Sequence, residues 1–146
     1  MLVRAGIVAG LLLGASAVPA LAVDSCGSMP IAPALPSAAD MLKQPAATAA
    51  STKHDAFEDI KNWQRDLKTY RACLASLQDQ DKLQLQGKDP TKDADKIKRL
   101  KDDMDAQSHG YDQTVDSEER LVNQWNAMST AYCSRSDVDK SSCPKH

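Results

Sequence analysis

Large anchoring side chains are scarce in this chain: one Phe, two Trp and three Tyr serve 146 residues. So few aromatics do not fill a wide single core, so the fold must be narrow or held by other means. Charge of one sign is missing as well. Eighteen Lys and Arg stand against twenty Asp and Glu, interspersed, for a net charge of −2. No basic face marks a nucleic-acid partner. The sequence has no Gly-x-Ser-x-Gly, no His-Glu-x-x-His and no glycine-rich phosphate loop. A nucleophile needs a positioned base and an oxyanion hole, and no motif supplies them. No catalytic residue and no cofactor is therefore expected. Cys-x-x-Cys is absent too, which leaves no tuned redox pair.

What is present begins with an export signal. A basic start ending at Arg4, an apolar stretch from Ala5 to Val18, and the small-x-small site Ala20-Leu21-Ala22 read as a signal peptide over residues 1–22. Fourteen apolar residues are too few to remain as a membrane-spanning helix. Cleavage after Ala22 would leave residues 23–146 in an oxidising compartment, with the periplasm expected and secretion as the alternative. Val23-Asp24-Ser25-Cys26 could pass for a lipidation site at Cys26, which would anchor the chain to lipid. Asp24 and the distance from the apolar stretch argue against it.

Residues 23–51 carry Pro30, Pro33, Pro36 and Pro45 among Ala and Ser, without a sustained period. They predict an extended segment with one helical turn at Ala38 to Lys43, capped by Ser37 and stopped by Pro45. Ala46 to Ser51 reads as a linker. Thr52 and Asp55 then form a capping-box pattern. Ala56, Ile60, Trp63, Leu67, Tyr70, Leu74 and Leu77 follow at alternating steps of four and three, the seam of a helix packed on a helix. Gly87 suits its end. Asp89 and Pro90 suit the start of a second helix running to about Tyr132.

The apolar positions of that second helix are Ala94, Ile97, Leu100, Met104, Tyr111, Val115, Leu121, Val122, Trp125, Met128 and Tyr132. Asp95/Arg99 and Asp116/Arg120 are spaced for ion pairs. Ser108-His109-Gly110 interrupts the seam, where a bend or local fraying is expected. A tight turn at Gly87–Pro90 would place Trp63 level with Thr114 and Cys73 level with Met104. The fold class expected is all-α: an antiparallel, coiled-coil-like two-helix hairpin over residues 52–133. A Pro-rich N-terminal strap would precede it, and a polar tail over residues 134–146 would follow.

Cys26, Cys73, Cys133 and Cys143 permit three pairings. The hairpin register separates Cys73 from Cys133 by roughly 20 Å or more at helical rise, which disfavours that bridge. Cys26–Cys73 with Cys133–Cys143 is preferred. Joining Cys26 to one of the C-terminal cysteines and Cys73 to the other stays open.

Other candidates are weaker. His109 and Asp112 could place two metal ligands on one helix face, but a site needs three or four. A solvated histidine is the simpler reading, and no metal is expected. Met104 and Met128 read as core rather than metal ligands. Trp63, Tyr70, Tyr111, Trp125 and Tyr132 read as packing. The partners expected are an envelope protein or a second copy of the chain. A periplasmic metal- or small-ligand-handling role, or that of a chaperone-like stress protein, is the alternative.

These residues resemble a group of short exported proteins of alphaproteobacteria that carry no assigned activity. In that group an N-terminal Cys precedes prolines and a Met-containing turn. Tyr-x-x-Cys-Leu lies on a first helix, and Tyr-Asn on a second is followed fourteen residues later by Phe-Asn. The matching positions here are Cys26, Pro30 and Pro33, Asp40-Met41, Tyr70-Arg71-Ala72-Cys73-Leu74, Tyr111-Asp112 and Trp125-Asn126. Asp112, Trp125 and the additional Cys133 and Cys143 depart from the pattern. The resemblance implies pairing of Cys26 with Cys73, which leaves the additional two cysteines to pair with each other.

Overall fold

A computed structural model describes residues 25–144. The expected signal peptide and the C-terminal His146 lie outside the described residues. The described chain is helical, with no strand among these residues. Three helices follow in order: α1 (Ala38–Lys43), α2 (Ala46–Leu85) and α3 (Ala94–Ser134).

The single turn α1 forms where its sequence predicts. Ser37 Oγ accepts from the Asp40 amide at 3.1 Å, and the Asp40 carboxylate accepts back from the Ser37 amide and hydroxyl. This reciprocal cap satisfies donors that a helix start leaves without partners. Met41 is fully buried. The last carbonyls of α1 are met from the far end of the chain, because Arg135 donates to both Met41 O and Gln44 O at 2.7 Å.

α2 begins at Ala46, six residues before the expected start at Thr52. Ala46 to Ala50 are strong helix formers, and Pro45 lies just before them, where it costs no hydrogen bond. The Ala49 amide already donates to Pro45 O at 2.9 Å, so the expected linker is the first helical turn. The predicted seam is buried at Ala56, Trp63, Leu67, Tyr70 and Leu74. Gly87, at φ 71°, turns the chain out of the helix.

Residues 86–93 make a longer connection than a tight turn. Asp89 Oδ1 accepts from the amides of Thr91 and Lys92, so Asp89 caps the turn that leads into α3. The helices therefore meet in a different register from the expected one. Arg71, rather than Trp63, reaches Thr114, at 2.6 Å. Partners on α3 fall in number as those on α2 rise: Lys53 approaches Cys133, Arg71 pairs with Glu118, Gln78 meets Ser108, and Asp81 meets Gln107.

α3 runs unbroken through Ser108-His109-Gly110, so the helix does not fray there. Gly110 is buried at the α2 contact, and a Cβ placed there would lie 3.4 Å from a methyl of Leu74 and 3.6 Å from the Tyr70 hydroxyl. Both are van der Waals distances, so the helices meet here with room for a methyl group. The buried side of α3 also differs from its expected seam. Leu100, Leu121, Met128 and Tyr132 face inward as predicted, together with Gln107, Gly110, Thr114 and Ser117. Tyr111, Val115 and Val122 are instead 43%, 45% and 45% exposed. Small and polar residues win the contact because α2 brings Arg71 and Asp81 to meet them. Arg120 turns to Ser117 rather than to Asp116.

Both preferred disulfides are present, Cys26–Cys73 and Cys133–Cys143. Pro30 O accepts from Trp63 Nε1 at 3.1 Å, while Ala32 and Leu35 pack on the Trp63–Leu67–Leu121 cluster. A second cluster joins Met41, Ala49 and Ala56 to Met128, Ala131 and Tyr132. The tail is part of this packing. Val138 and Cys143 lie against the cluster, and the Tyr132 hydroxyl donates to Asp139 O.

Candidate functional site

The most distinctive surface is apolar and runs along α3. Tyr111, Val115, Val122 and Trp125 recur at steps of four, seven and three, which aligns them on one helix face. From α2, Phe57 joins this face at 47% exposure. Its ring lies 5.7 Å from Trp125, centroid to centroid. A hollow of ≈ 190 Å³ opens beside them, lined by Ile60, Gln64, Glu118 and Val122 among others. Exposed apolar residues gathered in one stripe mark an interaction surface, whereas the same residues scattered singly would not.

Charge borders the stripe unevenly. On α2, Lys61 and Lys68 fall four and eleven residues after Phe57, on its face of the helix. Lys61 lies over the Phe57 ring and pairs with Glu58 within its own helix, an exposed contact that contributes little. On α3 the border is acidic. Glu119 is exposed beside Val115 and Val122. Glu118 accepts from Arg71 at 2.7 Å and from Gln64 at 3.3 Å, which ties the two helices across the stripe.

The other sequence candidates are dispersed. His109 is exposed, and its ring meets Gln113 at 3.1 Å rather than Asp112. Among the described residues no group of three or more His, Cys, Asp or Glu side chains gathers as metal ligands do. Cys26 is bonded to Cys73. Met128 is buried and Met104 half-buried. Among the described residues no helix is long and apolar enough to cross a membrane.

Hydropathy pointed to Tyr111, Val115 and Val122 but assigned them to the wrong partner. Their recurrence beside a second, small-residue stripe was the signal that could have separated an inner face from an outer one. A further residue had no sequence signal at all: Lys53, next to Thr52, is buried against the C-terminal tail.

The chain matches no family profile, no curated protein sequence and no solved structure. Its two disulfides point to an oxidising environment of the kind exported proteins meet.

Proposed function

We propose that this is an exported, non-catalytic scaffold of the cell envelope, an antiparallel helical hairpin that pairs with a second copy of itself. The falling partner numbers along α2 and α3 support the hairpin. The contacts of Pro30, Ala32 and Leu35 support the N-terminal segment as a strap along it. The periplasm is the compartment that the bridges and the N-terminal signal favour.

The observation that carries the reading is the stripe of exposed Val115, Val122 and Phe57 beside the half-buried Trp125, with unlike charge on its two borders. If two copies lie face to face about an axis parallel to the helices, α2 of each rests on α3 of the other. Lys68 then approaches the acidic border of Glu118 and Glu119, and Lys61 lies toward Trp125. The alternative axis would place α2 on α2 and lysine on lysine, so charge selects the first arrangement.

Light scattering of the oxidised, exported chain across a concentration series tests this. A dimer is expected. Val122→Glu should return a folded monomer whose thermal midpoint no longer rises with protein concentration. Lys68→Glu should weaken pairing, and Glu119→Lys in the same chain should restore it. A strict monomer at the highest concentration overturns the reading, as does a dimer indifferent to Val122→Glu.

A further inference from the structure

Among the described residues, Lys53 is an ammonium buried without a counter-charge. It is 6% exposed, and no ion pair among the described residues includes it. Its polar contacts are neutral: Ser142 O at 2.9 Å, Ser142 Oγ at 3.0 Å and Cys133 Sγ at 4.0 Å. The Tyr132 and Trp125 rings lie 4.8 and 6.0 Å from Nζ, which stabilises a cation but does not neutralise it. Buried cations are ordinarily paired, because leaving water without a partner is costly. Burial accordingly pushes the Lys53 ammonium below the usual lysine range.

A hollow of ≈ 230 Å³ opens at this residue, lined by Ala50, Lys53, His54, Phe57, Trp125 and Ser142. Ala50, Phe57 and Trp125 give it apolar walls, and His54 adds a ring that can hydrogen-bond. The Cys133–Cys143 bridge fixes the tail that carries Ser142. The contacts of Ser142 in turn hold the lysine, so the site is built before any ligand arrives. A volume of this size admits one ring or a short chain.

The geometry points to Lys53 as the anchor of a binding site for a small carboxylate with an apolar body. The carboxylate supplies the missing counter-charge at Nζ, and the body lies against Phe57 and Trp125. A neutral ligand of the same shape gains the apolar contact but not the charge-assisted hydrogen bond. Phe57 and Trp125 belong both to this hollow and to the stripe proposed for pairing, whereas Val122 lies outside the hollow, so a chain changed at Val122 tests the two readings separately.

The test is titration of the oxidised chain with 3-phenylpropionate and, separately, with 3-phenylpropanamide, followed by calorimetry and tryptophan fluorescence. The carboxylate is expected to bind one per chain, at least about tenfold more tightly than the amide. Lys53→Met keeps an apolar stem of similar length and should lose that preference. Val122→Glu should bind the carboxylate as the native chain does. Failure of the native chain to bind, equal affinity for acid and amide, or an undiminished preference in Lys53→Met would overturn the assignment. The acid–amide comparison uses the unmodified chain, so it stands even if Lys53→Met does not fold.

Discussion

Single residues on the inner face of α3 decide how closely the two long helices pack. Gln107 Nε2 donates to the Asp81 carboxylate at 2.7 Å in a buried contact, and Thr114 Oγ1 accepts from Arg71 Nε. Gly110 lies between them in sequence and brings α3 against Leu74 and Tyr70. A glycine in a helix interior costs roughly 1 kcal/mol relative to alanine. Its neighbours would stand at 3.4 Å and 3.6 Å from an added methyl, ordinary van der Waals distances. Gly110→Ala should therefore stabilise the fold by up to about 1 kcal/mol, because propensity is gained with little crowding. Urea unfolding of the oxidised chain measures it. A loss of more than about 1 kcal/mol would mean that the backbones cannot accommodate even a methyl group there. These inner residues were the least legible in the sequence. A hydropathy pattern ranks Val115 above Thr114 and Val122 above Ser117. The buried face was instead settled by polar partners from α2, which no pattern on α3 alone can display.

Helix starts were legible where a side chain closes the cap locally and misread where composition decides. Ser37 and Asp40 announce α1, and the structure forms both halves of the cap. Thr52 and Asp55 offer a similar pattern, yet an alanine-rich run before them extends α2 back to Ala46. The cap on α1 has a consequence for acid stability. Hydrogen bonds from the Ser37 hydroxyl and then its amide hold the Asp40 carboxyl below its ordinary range. A carboxyl depressed on folding releases its proton more readily in the folded state. Its contribution is present above the unfolded value of about 3.9 and is lost as pH falls through the folded value. Ser37→Ala should move the Asp40 titration upward toward the ordinary value. The native chain should also be the more stable of the two near neutrality, with the gap closing below about pH 4. Carboxyl carbon NMR of Asp40, followed through acid titration in both chains, reads the shift directly. An identical Asp40 midpoint in the two proteins would remove Ser37 as its cause.

At the scale of the molecule, the clusters around Met41 and Trp63 are small, and covalent bridges do much of what a larger core would do. Helix length disfavoured only Cys73–Cys133 and left Cys26–Cys133 with Cys73–Cys143 open; the preferred pairing is the one formed. The register was not legible, since it depends on how residues 86–93 carry the chain between helices. The bridges differ in the loops they close, with sequence separations of 47 and 10. Constraint of the unfolded chain grows with the logarithm of loop length, giving about 4 kcal/mol for the longer and about 3 for the shorter. Replacing Cys26 and Cys73 together by serine should therefore destabilise more than replacing Cys133 and Cys143, by about 1 kcal/mol. The local consequences should run the other way. Without Cys26–Cys73, Trp63 keeps Leu121 on α3, while its bond to Pro30 O and the packing of Ala32 and Leu35 are weakened. Without Cys133–Cys143, the tail that holds Ser142 over Lys53 is freed. Paired denaturation curves give the first comparison, and amide hydrogen exchange over residues 135–144 gives the second. Greater exchange there in the Cys26/Cys73 variant than in the Cys133/Cys143 variant would show that the tail is held by the long bridge rather than the short one.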